Sequence, residues 1–197
     1  MAYLKNHNLL KSIIDANDLD TRNLNIKIRE IIKNGHKHIV INNVAGQRYI
    51  ASGVQGLIEM DIHGVPGNDL GVFMDGPKIV VFGNGQDGIG NTMNSGEIII
   101  HGDVGDITGI SARGGKIYIK GNAGYRTGVH LKEYQESKPI IVIGGTAQDF
   151  LGEYMAGGVI LMLGLGLDKK NHNADFVGTG MHGGSIIVRG DVRGLGQ

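Results

Sequence analysis

Gly96-Glu-Ile-Ile-Ile-His-Gly102-Asp-Val-Gly105-Asp-Ile-Thr-Gly109 is followed, after a short spacer, by Gly115-Lys-Ile-Tyr-Ile-Lys-Gly121-Asn-Ala-Gly124-Tyr-Arg-Thr-Gly128. The glycines of the two stretches coincide at every position of G-x-I-x-I-x-G-x-x-G-x-x-x-G. Looser copies extend in both directions. Units begin near His36, Gly56, Gly76, Gly96, Gly115, Lys138, Gly158 and Gly184, a period of about twenty residues, and such a period marks a repeat architecture. Two long spacings hold polar insertions, 131–137 and 168–175, and insertions of this kind fall in surface loops.

Each unit opens with a short alternating strand. The inward candidates are Ile39 and Ile41, Ile58 and Met60, Ile79 and Val81, Ile98 and Ile100, Ile117 and Ile119, Ile140 and Val142, Ile160 and Met162, and Ile186 and Val188. Glycines spaced three or four apart then leave no room for a crossover helix, which disfavours a doubly wound α/β sheet. The remaining solution is a coil whose parallel strands stack at about 4.8 Å. One rung cannot bury its apolar face alone, whereas a stack can. The pattern therefore predicts an all-β fold: a single-stranded, right-handed parallel β-helix of about seven to eight rungs, over residues 36–197. Leu24, Ile28, Ile31 and Ile32 sit at helical spacing, with Asn23 or Asn25 as N-cap and Gly35 as stop. Residues 1–35 are expected to form a helical cap over the open end of the stack.

The glycines assigned to the repeat are Gly64, Gly67 and Gly71; Gly83 and Gly88; Gly96, Gly102, Gly105 and Gly109; Gly115, Gly121, Gly124 and Gly128; Gly144 and Gly152; Gly158; and Gly184 and Gly190. They account for the outlier in composition, 35 glycines in 197 residues, against a usual share of about 7%. Asn84, Asp103, Asn122 and Asp191 follow corner glycines, and there they are expected to bond their own backbone.

Composition also narrows function. Nineteen basic residues balance nineteen acidic ones, so no basic stripe points to nucleic acid. The absence of cysteine excludes disulfides, thiolate metal sites, iron–sulfur ligation and a cysteine nucleophile from this chain. It fits a cytoplasmic setting. Met1 to His7 lack an apolar signal core, and no apolar run is long enough for a membrane span.

Candidate chemistry reads as structure. Gly83-Asn-Gly85-Gln-Asp-Gly88 matches G-x-G-x-x-G, but a dinucleotide fingerprint needs a helix directly after it, and 91–96 lead into another rung. His36 and His38 form an H-x-H. His63 and His101 lie two rungs apart with Phe82 between them, in a stripe that continues through Lys120, Ile143, Leu163 and Arg189. Neither arrangement makes a metal cluster. No G-x-S-x-G elbow surrounds Ser95, Ser111 or Ser137. Asp103, Asp106, Asp149 and Glu153 are the carboxylates a carbohydrate-active β-helix enzyme would use, but no long loops build cleft walls. Arg126, Arg193, Lys169 and Lys170 read as solvated surface or as partner contacts. No catalytic, cofactor or metal residue is assigned.

Three stretches carry a family resemblance: Gly64-Val-Pro-Gly67-Asn-Asp-Leu-Gly71, Gly88-Ile-Gly90-Asn-Thr-Met-Asn-Ser-Gly96-Glu-Ile-Ile-Ile, and Gly144-Gly-Thr-Ala-Gln-Asp-Phe-Leu-Gly152-Glu-Tyr-Met-Ala-Gly157-Gly158. The chain resembles the GXGXG domain, the C-terminal β-helix of the glutamate synthase large subunit, from about residue 25 onward. The resemblance implies a structural subunit of a glutamate synthase-like oxidoreductase complex in glutamate biosynthesis and nitrogen metabolism. Its implied partners are glutaminase and FMN/iron–sulfur subunits or domains, which hold the catalytic groups this chain lacks. The same domain occurs in one of the subunits of formylmethanofuran dehydrogenase, so a complex of that type is the alternative. Self-association through a flat side of the coil is also compatible with the fold.

Overall fold

Alternation of aliphatic and polar residues over four to eight positions favours half-buried strands, and the chain forms them once per repeat. A computed structural model describes residues 11–168 and 171–197. The readings made for Met1 to His7 and for Lys169 and Lys170 lie outside the described residues. The elements are β1 (Lys11–Asp15), α1 (Thr21–Lys33), β2 (His38–Ala45), β3 (Glu59–Val65), β4 (Asp75–Phe82), β5 (Ser95–Ile100), β6 (Lys116–Ile119), β7 (Ile140–Ile143), β8 (Ala156–Met162) and β9 (Gly183–Val188). They form one nine-stranded sheet in chain order, with every neighbouring pair parallel. Consecutive parallel neighbours require the chain to return to the same end of the sheet after each strand. Here it returns through turns, so the fold is a β-solenoid with one helix.

The register lays aliphatic side chains on one another. Ile39 pairs with Met60, and the column continues through Ile79, Ile98, Ile117, Ile141, Ile160 and Ile186, rung by rung. The column is buried along its length until Ile186, which is partly covered. Ile41, Ile62, Val81, Ile100, Ile119, Ile143 and Met162 make a second pillar beside it. Each buried aliphatic side chain contributes roughly 1.5–3 kcal/mol of transfer free energy, so the pillars are the main source of stability.

At two rungs the observed pairs differ from the expected ones. In β3 the register pairs Met60 and Ile62 with Ile39 and Ile41, and Ile58, also buried, precedes the strand. In β7 the inward residues are Ile141 and Ile143, not Ile140 and Val142. The insertion before β7 and Pro139 displace the strand by one position, and a one-residue slip exchanges its two faces. Ile143 therefore leaves the outward stripe assigned to it, and Gly144 takes that place, its N–H bonding the Ile119 carbonyl.

The first rung lies outside the glycine repeat. β1 pairs with β2, and α1 closes the rest of that rung. The N-cap is Asp20, whose carboxylate accepts from Asn23 N–H at 2.7 Å, rather than Asn23 or Asn25. Lys33 and then Asn34, the C-cap, end the helix, and Gly35 follows at φ 87°. Leu24 and Ile28 are buried, and Ile31 and Ile32 pack partly against the core. The helix lies along the next coil: Asn25 donates to the Arg48 carbonyl and Arg29 to the Ser52 carbonyl. It thus covers the end of the aliphatic pillars, as a solenoid terminus requires. Buried Gln47 ties this cap to the stack, donating to the Ala16 and Leu19 carbonyls and accepting from Ala45 N–H.

Opposite the sheet, tight turns stack with alternating sign of φ. Asp69, Gly71 and Phe73 have φ of 61°, 70° and 58°, and Arg126, Gly128 and His130 repeat the pattern at 55°, 75° and 56°. A Cβ at Gly128 would lie 2.5 Å from Ile160 Cδ1, so a side chain there would displace the pillar. The backbone of these turns is paired between rungs: Gly128 N–H bonds the Thr108 carbonyl at 2.8 Å and Arg126 N–H the Asp149 carbonyl at 3.0 Å.

Candidate functional site

A solenoid offers its outer walls to partners, and each wall is a set of side-chain columns. On the second wall, just after each strand, Asx side chains form ladders. Asn84 Oδ1 accepts from Asp103 N–H at 3.0 Å, Asp103 Oδ1 from Asn122 N–H at 2.6 Å, and Asn122 Oδ1 from Thr146 N–H at 3.0 Å. A second ladder runs from Asp87 to Asp106 N–H and from Asp106 to Tyr125 N–H, both at 2.9 Å. Asp149 likewise accepts from Asp175 N–H. These side chains bond the backbone of the next rung rather than their own, which corrects the sequence expectation. The following glycine explains the difference: a Cβ at Gly102 would overlap Asn84 Oδ1, so the missing side chain leaves the space that lets the lower carboxamide reach up.

This geometry accounts for three of the four carboxylates considered for glycoside chemistry. Asp103, Asp106 and Asp149 each hold a backbone N–H of the rung above. The fourth, Glu153, is buried, and its Oε2 lies 3.5 Å from Arg126 Nε without a hydrogen bond. Arg126 in turn sits 5.3 Å over the Phe150 ring, and Phe150 stacks on Phe176 at 5.1 Å. The cation is thereby fixed between a carboxylate and an aromatic face, a structural arrangement on the outside of a corner.

The histidines are dispersed. His36 bonds Ser12 and His38 bonds Asp61 Oδ2 at 2.9 Å. His63, Phe82 and His101 stack in register with centroids 4.7 and 5.2 Å apart, so the aromatic ring between them separates the two imidazoles. Among the described residues no group of three His, Asp or Glu side chains converges on a metal position. His172, which no sequence motif marks, is buried. Its Nε2 donates to the Arg189 carbonyl at 3.3 Å, and its Nδ1 is hydrogen-bonded with the Thr146 hydroxyl at 2.9 Å. It pins the last insertion to the stack. The G-x-G-x-x-G segment forms a corner between β4 and β5, with no helix between them.

The first wall, the outer face of the sheet, has a different character along its length. Toward the helical end it carries Glu59, Lys78, Glu97 and Lys116, in register on successive strands. From β5 onward the central outward column reads Ile99, Tyr118, Val142, Leu161 and Ile187. Ile187 remains 53% exposed. Ile140 and Val159 flank this column on one side. Leu163 and Leu165 flank it on the other, over a shallow depression shared with His101 and Lys120. An outward column on a solvated sheet normally alternates toward polar residues, so this continuous apolar strip is the feature of the surface that asks for a partner.

No helix of the described residues is long and apolar enough to cross a membrane. The sequence profile of the GXGXG motif family matches residues 6–195. A similar relative is an uncharacterized protein of Methanocaldococcus jannaschii, 54% identical over 186 residues that cover 91% of this chain and 71% of the relative.

Proposed function

The chain belongs to the GXGXG motif family, and on that premise we propose that it is a non-catalytic scaffold subunit of a glutamate synthase-like complex, bracing glutaminase and FMN-containing synthase partners. The observation that carries the reading is the apolar outer column Ile99, Tyr118, Val142, Leu161 and Ile187. The commitment of Asp103, Asp106 and Asp149 to backbone ladders supports it from the other side. A rigid flat wall of this kind positions two partners relative to one another. Such positioning is what transfer of ammonia from one active site to another requires.

The test is affinity purification of the tagged chain from its native host, followed by mass spectrometry and flavin analysis. The reading expects an amidotransferase and an FMN protein in stoichiometric amounts. Recovery of the chain alone overturns it, and recovery with molybdenum or tungsten pterin subunits replaces it with a formylmethanofuran dehydrogenase-type complex.

A further inference from the structure

A cleft of about 610 Å3 lies beneath the first insertion, lined by Asp75, Asn94, Ser95, Arg113, Lys132, Tyr134 and Ser137. Its volume falls within the range of small-molecule sites, roughly 300–1,000 Å3. We propose that this cleft is an oxyanion-binding site that takes the phosphate or carboxylate group of a small molecule.

The repeat itself brings the two cations together. Arg113 N–H bonds the Met93 carbonyl and Lys132 N–H the Ala112 carbonyl, so the two residues occupy the same column one rung apart. Backbones on neighbouring rungs are about 4.8 Å apart, so both cations rise from one patch of the wall, and an anion held between them would offset their mutual repulsion. Neither side chain forms an ion pair within the described residues. Three carboxylates lie near the cleft, Asp75 in its lining and Glu133 and Glu136 on the insertion, and none of them pairs with Arg113 or Lys132. Asp75 accepts from the Ser95 hydroxyl. Glu133 faces Gly158 N–H and Lys138.

The insertion supplies the rest of the site. Tyr134 and Ser137 exchange two backbone hydrogen bonds of 3.0 Å, closing a tight loop, and both residues line the cleft. A guanidinium fork, an ammonium and neutral donors make a set suited to an oxyanion. Arg113 grips two oxygens, Lys132 supplies a point charge, and Ser137, Tyr134 and Asn94 complete the shell. Insertions into an otherwise regular solenoid map to loops on one face, often the binding face.

The test uses the full chain and two probes, inorganic phosphate and succinate, each titrated at constant ionic strength with sodium chloride as the control. Backbone amide NMR shifts are followed at Asn94, Ser95, Arg113, Lys132 and Ser137. Saturable shifts confined to these residues are expected with at least one probe, with Kd on the order of 1 mM. Phosphate alone points to a phosphate ester, and succinate alone to a carboxylate ligand. Arg113→Gln and Lys132→Gln should each weaken binding by about ten- to a hundredfold, whereas Lys78→Gln on the sheet face should leave it unchanged. Shifts that do not saturate, that chloride reproduces, or that persist in the Arg113→Gln/Lys132→Gln double variant overturn the proposal. Both residues are exposed, and unchanged far-UV circular dichroism in each variant verifies folding.

Discussion

Replacing Gly128 by alanine adds one methyl group at a point where the stack has no room for it. The backbone there has φ of 75°, and the new Cβ would lie 2.5 Å from Ile160 Cδ1 and 3.2 Å from Leu131 Cδ1. A left-handed conformation costs a residue with a Cβ about 1–2 kcal/mol. Forcing an extra carbon into a filled core adds about 1–3 kcal/mol. The sum is roughly 2–5 kcal/mol, against a total stability of about 5–15 kcal/mol for a typical domain. Gly53→Ala separates the two effects, because φ there is 61° and nothing lies within 4 Å of an added Cβ. That variant should lose only the conformational part, about 1–2 kcal/mol. Ala51, buried at φ 62° in the corner equivalent to Gly128, already shows that alanine is tolerated where the pillar leaves space. Urea unfolding followed by far-UV circular dichroism measures both variants. With a slope of about 1–3 kcal/mol per molar urea, the remaining difference of about 1–3 kcal/mol should put the midpoint of Gly128→Ala below that of Gly53→Ala by roughly 0.3–3 M. Equal midpoints would refute the claim that the aliphatic pillar fills this corner.

Three further outcomes follow from particular contacts. Asp106→Ala removes the acceptor for Tyr125 N–H and should cost about 1 kcal/mol in the same urea assay, with hydrogen exchange at Tyr125 rising selectively. Arg126→Ala removes the cation beside the buried Glu153 carboxylate; because Arg126 itself is half exposed, the loss should be about 1 kcal/mol. The double variant Arg126→Ala/Glu153→Leu should recover most of that loss in thermal melts. The Asp15 carboxyl is held below the ordinary aspartate range, first by the Asn43 side-chain hydrogen bond, then by Asn17 N–H, with a weaker pull from Lys27. Because the folded value is the lower one, its contribution is present above the unfolded value and disappears as pH falls through the folded one. A carboxyl NMR titration should place its midpoint below that of Asp15 in the Asn43→Ala variant.

The repeating units from β2 to β9 are legible in the sequence because aliphatic alternation and corner glycines recur together, and both arise from one physical demand, the filling of a narrow coil. β1 is illegible for the converse reason. Lys11-Ser-Ile-Ile-Asp15 has no corner glycine after it, since α1 supplies the return path. The face of β7 is ambiguous because a polar insertion and Pro139 reset the phase, and in an all-aliphatic run such as Ile140-Ile-Val-Ile143 hydrophobicity cannot distinguish the two faces. Asn84, Asp103 and Asn122 are recognisable as corner residues, but their bonds to the next rung depend on stacking that no local window contains. Arg113 and Lys132 do not stand out as a pair because their relation is one rung of the solenoid. Only their shared position relative to the glycines, such as Gly109 and Gly128, hints that they stand side by side.

The docking account rests on the outer sheet face, and one substitution tests it. Leu161→Glu places a charge in the middle of the apolar column, between Val142 and Ile187, while the inward pillar residues Ile160 and Met162 stay intact. Purified from the native host beside the unaltered chain, the variant should show the same circular dichroism and come away without amidotransferase or flavoprotein partners. Recovery of those partners in undiminished amount by the Leu161→Glu chain would contradict the account.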